Sequence, residues 1–379
     1  MKKIGIVTTP RELNYGAVLQ AYALQDVISN YGYDTKLIWW SNQKKTRRDI
    51  RCLKILGMLM KIIRHPTLLR RTLYTYGHSF SKEYSKESII KFDEFEKKYL
   101  NIDFKNYYQM YSFAYSSDCK AIIAGSDQIW NSYAMYVDPF YYLRFVPKDK
   151  RIAYAPSFGK NDIPQYNRKR IKKYMQGFTK ISVREESGKK ILYDLIHKSV
   201  PVVLDPSLLL KSFEWERLES YVETPTKYVL MYFLDEPNKE SIRILKKIVN
   251  QYKMPIIVMP YRFEIYKEFK SVEFVDAGPS DFLYLIHHAE FVLTDSFHGT
   301  AFSINYKKEF LVFDRQYGNN QTQISRITDL LNKFGLLNRF IFQTNETIGK
   351  IEKIDYSEMD RILEKERIFS INYLSDFLN

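Results

Sequence analysis

Short apolar runs that stop at Gly, Ser or Asp, each followed by residues at helical spacing, recur along this 379-residue chain. A run of Ile, Val, Leu and Ala that is apolar at every position reads as a strand buried on both faces. Such strands belong to parallel sheets covered by helices. Residues 3–8 form the first, Asn14-Tyr15-Gly16 turns the chain, and Ala17, Ala21, Leu24 and Ile28 then recur at helical spacing. A second β-rich run at 35–40 completes a βαβ unit. Residues 121–124, 151–155, 180–183 and 200–204 extend the series, with a helix from Arg184 to about His197.

Around residues 211–227 the pattern turns polar and aromatic, with Pro225 as punctuation, and the alternation then restarts. Strands are expected at 228–233, 256–259, 291–294 and 310–313, and helices at 241–252, 280–288, from about Thr300, at 323–334 and at 356–377. Two such blocks predict two doubly wound, Rossmann-like α/β domains facing a cleft. The expected division is an N-terminal domain over 1–215 and a C-terminal domain over 226–355. A closing helix over 356–379 could pack back on the N-terminal domain.

Charge narrows the partners. The chain carries 58 Lys and Arg against 44 Asp and Glu, a net +14. Residues 44–71 hold ten basic side chains against one acid, Asp49, so +9 of that excess lies in one segment. On a helical wheel Arg47, Arg51, Lys54, Lys61 and Arg64 share one arc, with Leu56, Leu59 and Ile63 largely outside it. The segment reads as a basic amphipathic arm within an insertion at about 43–105. Two roles stay open for it: docking on an anionic membrane surface, or covering a sheet edge with its apolar face and leaving its charges in water. Its aliphatic core lacks the interleaved aromatics of a nucleic-acid stacking platform, so no nucleic-acid partner is expected. Two cysteines make no disulfide framework, no Cys-x-x-Cys is present, and no apolar run is long enough to span a membrane. The expectation is a cytoplasmic protein, peripheral at the inner face of the plasma membrane if the arm binds it, with no metal and no cofactor.

Parallel sheets bind ligands at the carboxyl ends of their strands, which makes the residues just beyond each strand the candidates. Five clusters qualify: Asn14-Tyr15-Gly16, Gly125-Ser126-Asp127-Gln128, Ser157-Phe158-Gly159, Arg184-Glu185-Glu186 and Asp295-Ser296-Phe297-His298-Gly299-Thr300. In the last, strand, tight loop and helix make a helix amino terminus suited to a phosphate or carboxylate, with His298 as donor or general acid. A Ser or Asp there is more often an N-cap than a catalyst, and Arg184 could be a solvated charge opposite Glu185. His287-His288 ends a helix, and adjacency is expected to point the rings apart.

Asn14-Tyr15-Gly16-Ala17-Val18-Leu19-Gln20-Ala21-Tyr22, Gly125-Ser126-Asp127-Gln128-Ile129-Trp130-Asn131, Ser182-Val183-Arg184-Glu185, Asp205-Pro206 and the Asp295–Thr300 cluster stand in an order that resembles the polysaccharide pyruvyl transferase family. The resemblance covers roughly residues 3–340. It implies a fold like that of two-domain (GT-B) glycosyltransferases, with the donor bound against the second domain. It also implies transfer of a pyruvyl group from phosphoenolpyruvate to two hydroxyls of a sugar, leaving a cyclic ketal and phosphate. The acceptor so implied is a surface-polysaccharide precursor, taken here as polyprenyl-diphosphate-linked. Carried over by position, Arg184 and His298 hold the donor. Many relatives have an Arg where this chain has Ser296, so another cation is needed, and Arg326 is favoured over Arg315, Lys307 and Lys308.

On this basis His298 is the expected acid or phosphate contact, and Asp127, ahead of Asp295, the base. Arg184, Arg326, Ser296, Gly299, Thr300, Asn14, Tyr15, Gly16, Ser126 and Gln128 are the expected substrate-binding residues. The competing expectation is a glycosyltransferase with a nucleotide-sugar donor, for which Asp276 or Glu290 would be the ribose carboxylate.

Overall fold

The structure is a computed structural model that describes residues 1–9, 13–40, 51–69, 83–315, 324–342 and 351–378. The chain divides into two compact units, one of residues 1–10, 24–83 and 99–203, the other of residues 11–23, 84–98 and 204–379.

The first unit is built on β1 (Lys3–Val7), β2 (Asp34–Trp40), β3 (Ile102–Lys105), β4 (Cys119–Ala124), β5 (Arg151–Ala153) and β6 (Lys180–Ile181). They pair in parallel in the order β3-β2-β1-β4-β5-β6. Ile4, Ile6, Ile122 and Ile123 are wholly buried, as the continuous apolar runs require. Trp130 is the largest side chain of this core. It stacks on Tyr142 at 5.7 Å and donates its indole N–H to Tyr141 O at 3.0 Å.

The second unit repeats the arrangement. β7 (Val229–Phe233), β8 (Ile256–Pro260), β9 (Val272–Phe274), β10 (Phe291–Thr294), β11 (Glu309–Phe313) and β12 (Phe340–Ile341) run parallel in the order β12-β11-β10-β7-β8-β9. Numbered within each unit, both sheets read 3-2-1-4-5-6, the doubly wound order. The expected fold class is therefore observed, and the reversal points lie between β1 and β4 and between β7 and β10.

The helices are α1 (Tyr15–Ser29), α2 (Arg51–Arg64), α3 (Lys86–Tyr99), α4 (Tyr107–Tyr115), α5 (Gln165–Met175), α6 (Glu186–Ile196), α7 (Ser212–Glu216), α8 (Lys239–Tyr252), α9 (Pro279–His288), α10 (Phe297–Asn305), α11 (Ile324–Lys333) and α12 (Tyr356–Leu378). α12 grips the start of the second unit's main segment, where Arg367 Nε donates to Leu208 O at 2.9 Å and Ser370 Oγ accepts from Leu204 N at 2.9 Å. The units accordingly divide at 203/204, where the sequence reading placed its boundary between 215 and 226.

Three expectations change. Residues 200–204 form no strand, only a bridge between Val183 and Val202. The stretch taken as an insertion contains β3, which pairs with β2 from Leu37 opposite Ile102, and α3, which belongs to the second unit through Lys91 (3.0 Å from Asp281) and Phe92 (4.9 Å from Tyr15). In the basic arm, residues 44–50, 70 and 71 and the side chains of Arg51 and Lys54 lie outside the described residues. Of its apolar side, Leu56, Leu59 and Ile63 are exposed rather than packed on a sheet edge. Among the described residues no helix is long and apolar enough to cross a membrane.

Because Trp130 is enclosed by Tyr142, Phe158 and Phe178, Trp130→Ala is expected to cost about 3–5 kcal/mol in urea unfolding monitored by circular dichroism. A loss under 1 kcal/mol would show that this core is not as closely filled as the structure has it.

Candidate active site

In the first unit the strand ends of β1, β4, β5 and β6 converge. Thr8 Oγ1 donates to Ser126 O at 3.2 Å, and Ser126 Oγ donates to Ala155 O at 2.8 Å. Ser126 is thus spent on joining neighbouring strand ends. Asp127 follows with φ +66°, a left-handed conformation in which Asp is tolerated. Its Oδ1 lies 3.8 Å from Arg184 Nη1. Gln128 packs over Gly159, where a Cβ would stand 2.7 Å from Gln128 Nε2.

Arg184 is buried, which corrects the alternative of a solvated face charge. A buried guanidinium needs a counter-charge, and Arg184 has two: Asp127 and its neighbour Glu185, whose Oε2 is 3.5 Å from Nε. Glu185 is itself fixed by Ser157, which donates from Oγ to Oε1 at 2.5 Å while accepting from Gly159 N at 3.0 Å. The backbone and side-chain bonds hold Arg184 and Asp127 in place before any ligand arrives. Neither ion pair is at the 2.7–2.9 Å of a strong charge-assisted bond.

The second unit gathers a different set. Asn14 caps α1 by accepting from Ala17 N at 3.2 Å. Tyr15 is fully buried, stacked on Phe282 at 4.9 Å, and donates from Oη to Ala277 O at 3.0 Å. Gly16 meets His298: a Cβ at residue 16 would lie 2.0 Å from His298 Nδ1. Only glycine leaves room for the ring, so the first and last motifs of the chain form one contact.

His298 is buried on the first turn of α10. Ser296 is the N-cap, its Oγ accepting from Gly299 N at 3.3 Å, and Thr300 Oγ1 donates back to Ser296 O at 2.9 Å. Both hydroxyls thereby serve the helix end, as the capping rule anticipates. Gly299 sits where a Cβ would be 2.5 Å from Thr294 Oγ1. His298 Nε2 makes no hydrogen bond among the described residues and lies 3.7 Å from Asp205 Oδ1. Asp205 is held by Ser207, which donates to Oδ1 from both N and Oγ.

At the reversal point of the second sheet sits a charged group that the sequence did not single out as a unit. Asp295 accepts from Leu234 N at 2.7 Å and from Asp235 N at 2.9 Å, tying the end of β10 to the end of β7. Arg315, just past β11, donates to Asp235 at 2.9 Å and lies 3.5 Å from Asp295. Burial pushes the Asp295 carboxyl up to about 6, against the lowering effect of Arg315. With both oxygens committed to backbone, Asp295 acts as a brace. Arg326 is buried in the first turn of α11. Lys307 pairs with Asp360, and Lys308 is half-buried. Asp276 pairs with Arg262 at 2.8 Å, and Glu290 is exposed.

His287 and His288 do not point apart: both face Glu219, at 2.9 and 3.6 Å. These three could offer ligand atoms to a metal. Tyr306 already donates to Glu219 at 3.0 Å and stacks on His287 at 4.6 Å, which accounts for the group without an ion.

A sequence model of the polysaccharide pyruvyl transferase family matches residues 14–317, most of the chain. The chain belongs to this family. It is thereby a transferase-family protein of polysaccharide biosynthesis. A search of curated proteins finds no match. Among solved structures, the UDP-GlcNAc 2-epimerase of Methanocaldococcus jannaschii is similar with a TM-score of 0.50 at 11% identity, over 96% of this chain and 92% of that one. At that identity the likeness bears on the fold alone, which it supports. Acinetobacter baumannii MurG aligns over 100% of this chain and 93% of its own at 8% identity, with a TM-score of 0.45, too low to add to the argument.

Two outcomes follow. Gly16→Ala should displace the His298 ring and cost about 1–3 kcal/mol in urea unfolding, the scale of overpacking a filled site; wild-type stability would refute the contact. For Asp295, the folded-state pKa of about 6 lies above the ordinary 3.8. The stability it contributes is therefore present below pH 3.8 and lost as pH rises through 6. Relative to Asp295→Asn, the wild type should lose on the order of 2–3 kcal/mol between those limits. Chemical denaturation across that range checks this, and a pH-independent difference contradicts it.

Proposed function

We propose that this protein transfers a pyruvyl group from phosphoenolpyruvate to two hydroxyls of a sugar in a lipid-linked surface-polysaccharide precursor. The observation that carries the reading is the histidine of the second unit. His298 is buried, seated against Gly16, and presents Nε2 beside Asp205 at a helix amino terminus. A helix amino terminus favours an anion, and an imidazole N–H there is a donor to it. Family membership supplies the reaction class.

The chemistry then runs as follows. A proton from His298 goes to the methylene carbon of phosphoenolpyruvate, which becomes a methyl group and leaves C2 cationic. One sugar hydroxyl adds to C2 and gives its proton to a base, for which Asp127 is our assignment. The bond from C2 to the phosphate oxygen breaks and phosphate leaves with the proton that the base took up; the second hydroxyl then adds to C2, closing the ketal, and its proton restores His298. Arg184 contacts an anionic group of the donor, since guanidinium matches carboxylate and phosphate geometry. Arg326 remains our choice for the cation that replaces the family Arg at Ser296, with Arg315 the alternative nearer the reversal point of the second sheet.

His298→Ala should lower phosphate release at least about 100-fold, and Arg184→Ala should raise KM for phosphoenolpyruvate. Phosphoenolpyruvate, and not a nucleotide sugar, should raise the Tm of the wild type. Protection by a nucleotide sugar alone, or near wild-type release by the His298 variant, would overturn the assignment.

A further inference from the structure

α2 carries its apolar residues on the outside. Ile55, Leu56, Leu59, Met60 and Ile63 are between 45 and 72% exposed, whereas Lys61 is turned inward. Its Nζ donates to Met135 O and to Asn167 Oδ1, both at 2.7 Å, and lies over the Tyr166 ring at 5.1 Å. A surface helix of a globular unit ordinarily does the reverse. Burial, with Arg170 nearby, lowers the Lys61 pKa to about 8, so the inward turn is not driven by comfort of the charge. Fixing Lys61 in this way leaves the aliphatic side chains facing solvent.

Beside α2 lies an open cavity of about 600 Å³. Lys61, Arg64 and His65 line it from one side and Lys169, Arg170 and Lys173 of α5 from the other, with no acid among its described lining residues. Apart from Lys61, these basic side chains are on exposed residues. A concave cluster of cations next to an exposed aliphatic helix face asks for an occupant that is anionic at one point and apolar alongside it. A second copy of the chain, meeting this face through a two-fold axis, would set the same cations against each other. A nucleic acid would leave the five aliphatic side chains against water.

We propose that α2 and this cavity seat the first unit on an anionic phospholipid surface, with a headgroup phosphate among Arg64, Lys169, Arg170 and Lys173 and the aliphatic side chains at the acyl boundary. The site uses none of the residues assigned to transfer, and membrane docking needs neither donor nor acceptor, so its test stands apart from that of the reaction.

The test is flotation of the full chain with vesicles of phosphatidylcholine alone or with one-third phosphatidylglycerol. Binding to the anionic vesicles should exceed binding to the neutral ones at least about tenfold, the scale of a few surface cations. Leu56→Ser/Leu59→Ser/Ile63→Ser and, separately, Lys169→Gln/Arg170→Gln/Lys173→Gln should each remove most of that binding. All six side chains are on the surface, so an unchanged Tm for each variant verifies its fold. Equal or negligible binding to both vesicle types overturns the proposal. So does saturable binding of inorganic diphosphate without vesicle binding, which would make the cavity a site for a soluble phosphate. Self-association that the Leu/Ile variant abolishes, again without vesicle binding, would make the face a contact between copies and likewise overturn it.

Discussion

The ring of His298 occupies the space that a side chain at residue 16 would fill, and the second unit's candidate site is arranged around that contact. Gly16 can stand there because Asn14 caps α1 and Tyr15 anchors it, by stacking on Phe282 and bonding to Ala277 O. His298 can stand there because Ser296 and Thr300 close the first turn of α10 and Gly299 lets that turn approach Thr294. Two motifs separated by most of the chain are therefore one steric unit. A change at either end moves the imidazole relative to Asp205.

The first unit solves a different problem, that of holding a guanidinium in a buried place. Glu185 and Asp127 supply the counter-charges, and Ser157, bonded to both Glu185 and the Gly159 amide, fixes one of them. Paired in this way Arg184 keeps its charge balanced, and only the loss of both acids would leave an unbalanced buried cation. In both units the chemistry-bearing side chains follow strand ends of a 3-2-1-4-5-6 sheet. That is where such sheets leave backbone and helix termini exposed to a ligand.

The long strands were legible because burial on both faces leaves runs such as residues 121–124 and 291–294 without a charged position. β3, β9 and β12 were not, since they are two to four residues long and half-exposed, so no run of apolar residues marks them. The strand-end clusters could be read, and the family order of their motifs with them. What each side chain does could not: Ser126, Ser296, Asn14 and Thr300 bond to backbone, and the counter-charge of Arg184 is fixed by Ser157, a residue distant in sequence. Asp235, Asp295 and Arg315 come together only through the order of β7, β10 and β11. For α2 the helical wheel sets basic residues apart from apolar ones, but periodicity says nothing about which side faces the protein. The bonds of Lys61 to Met135 and Asn167 decide that.

The central claim is the proposed ketal formation from phosphoenolpyruvate. The direct measurement is the mass of a lipid-linked sugar acceptor after incubation with the protein and phosphoenolpyruvate. A gain equal to pyruvate less one water, in step with phosphate released and absent with His298→Ala, is the predicted result. Phosphate release with no such gain, or a gain of a whole sugar from a nucleotide-sugar donor, would contradict it.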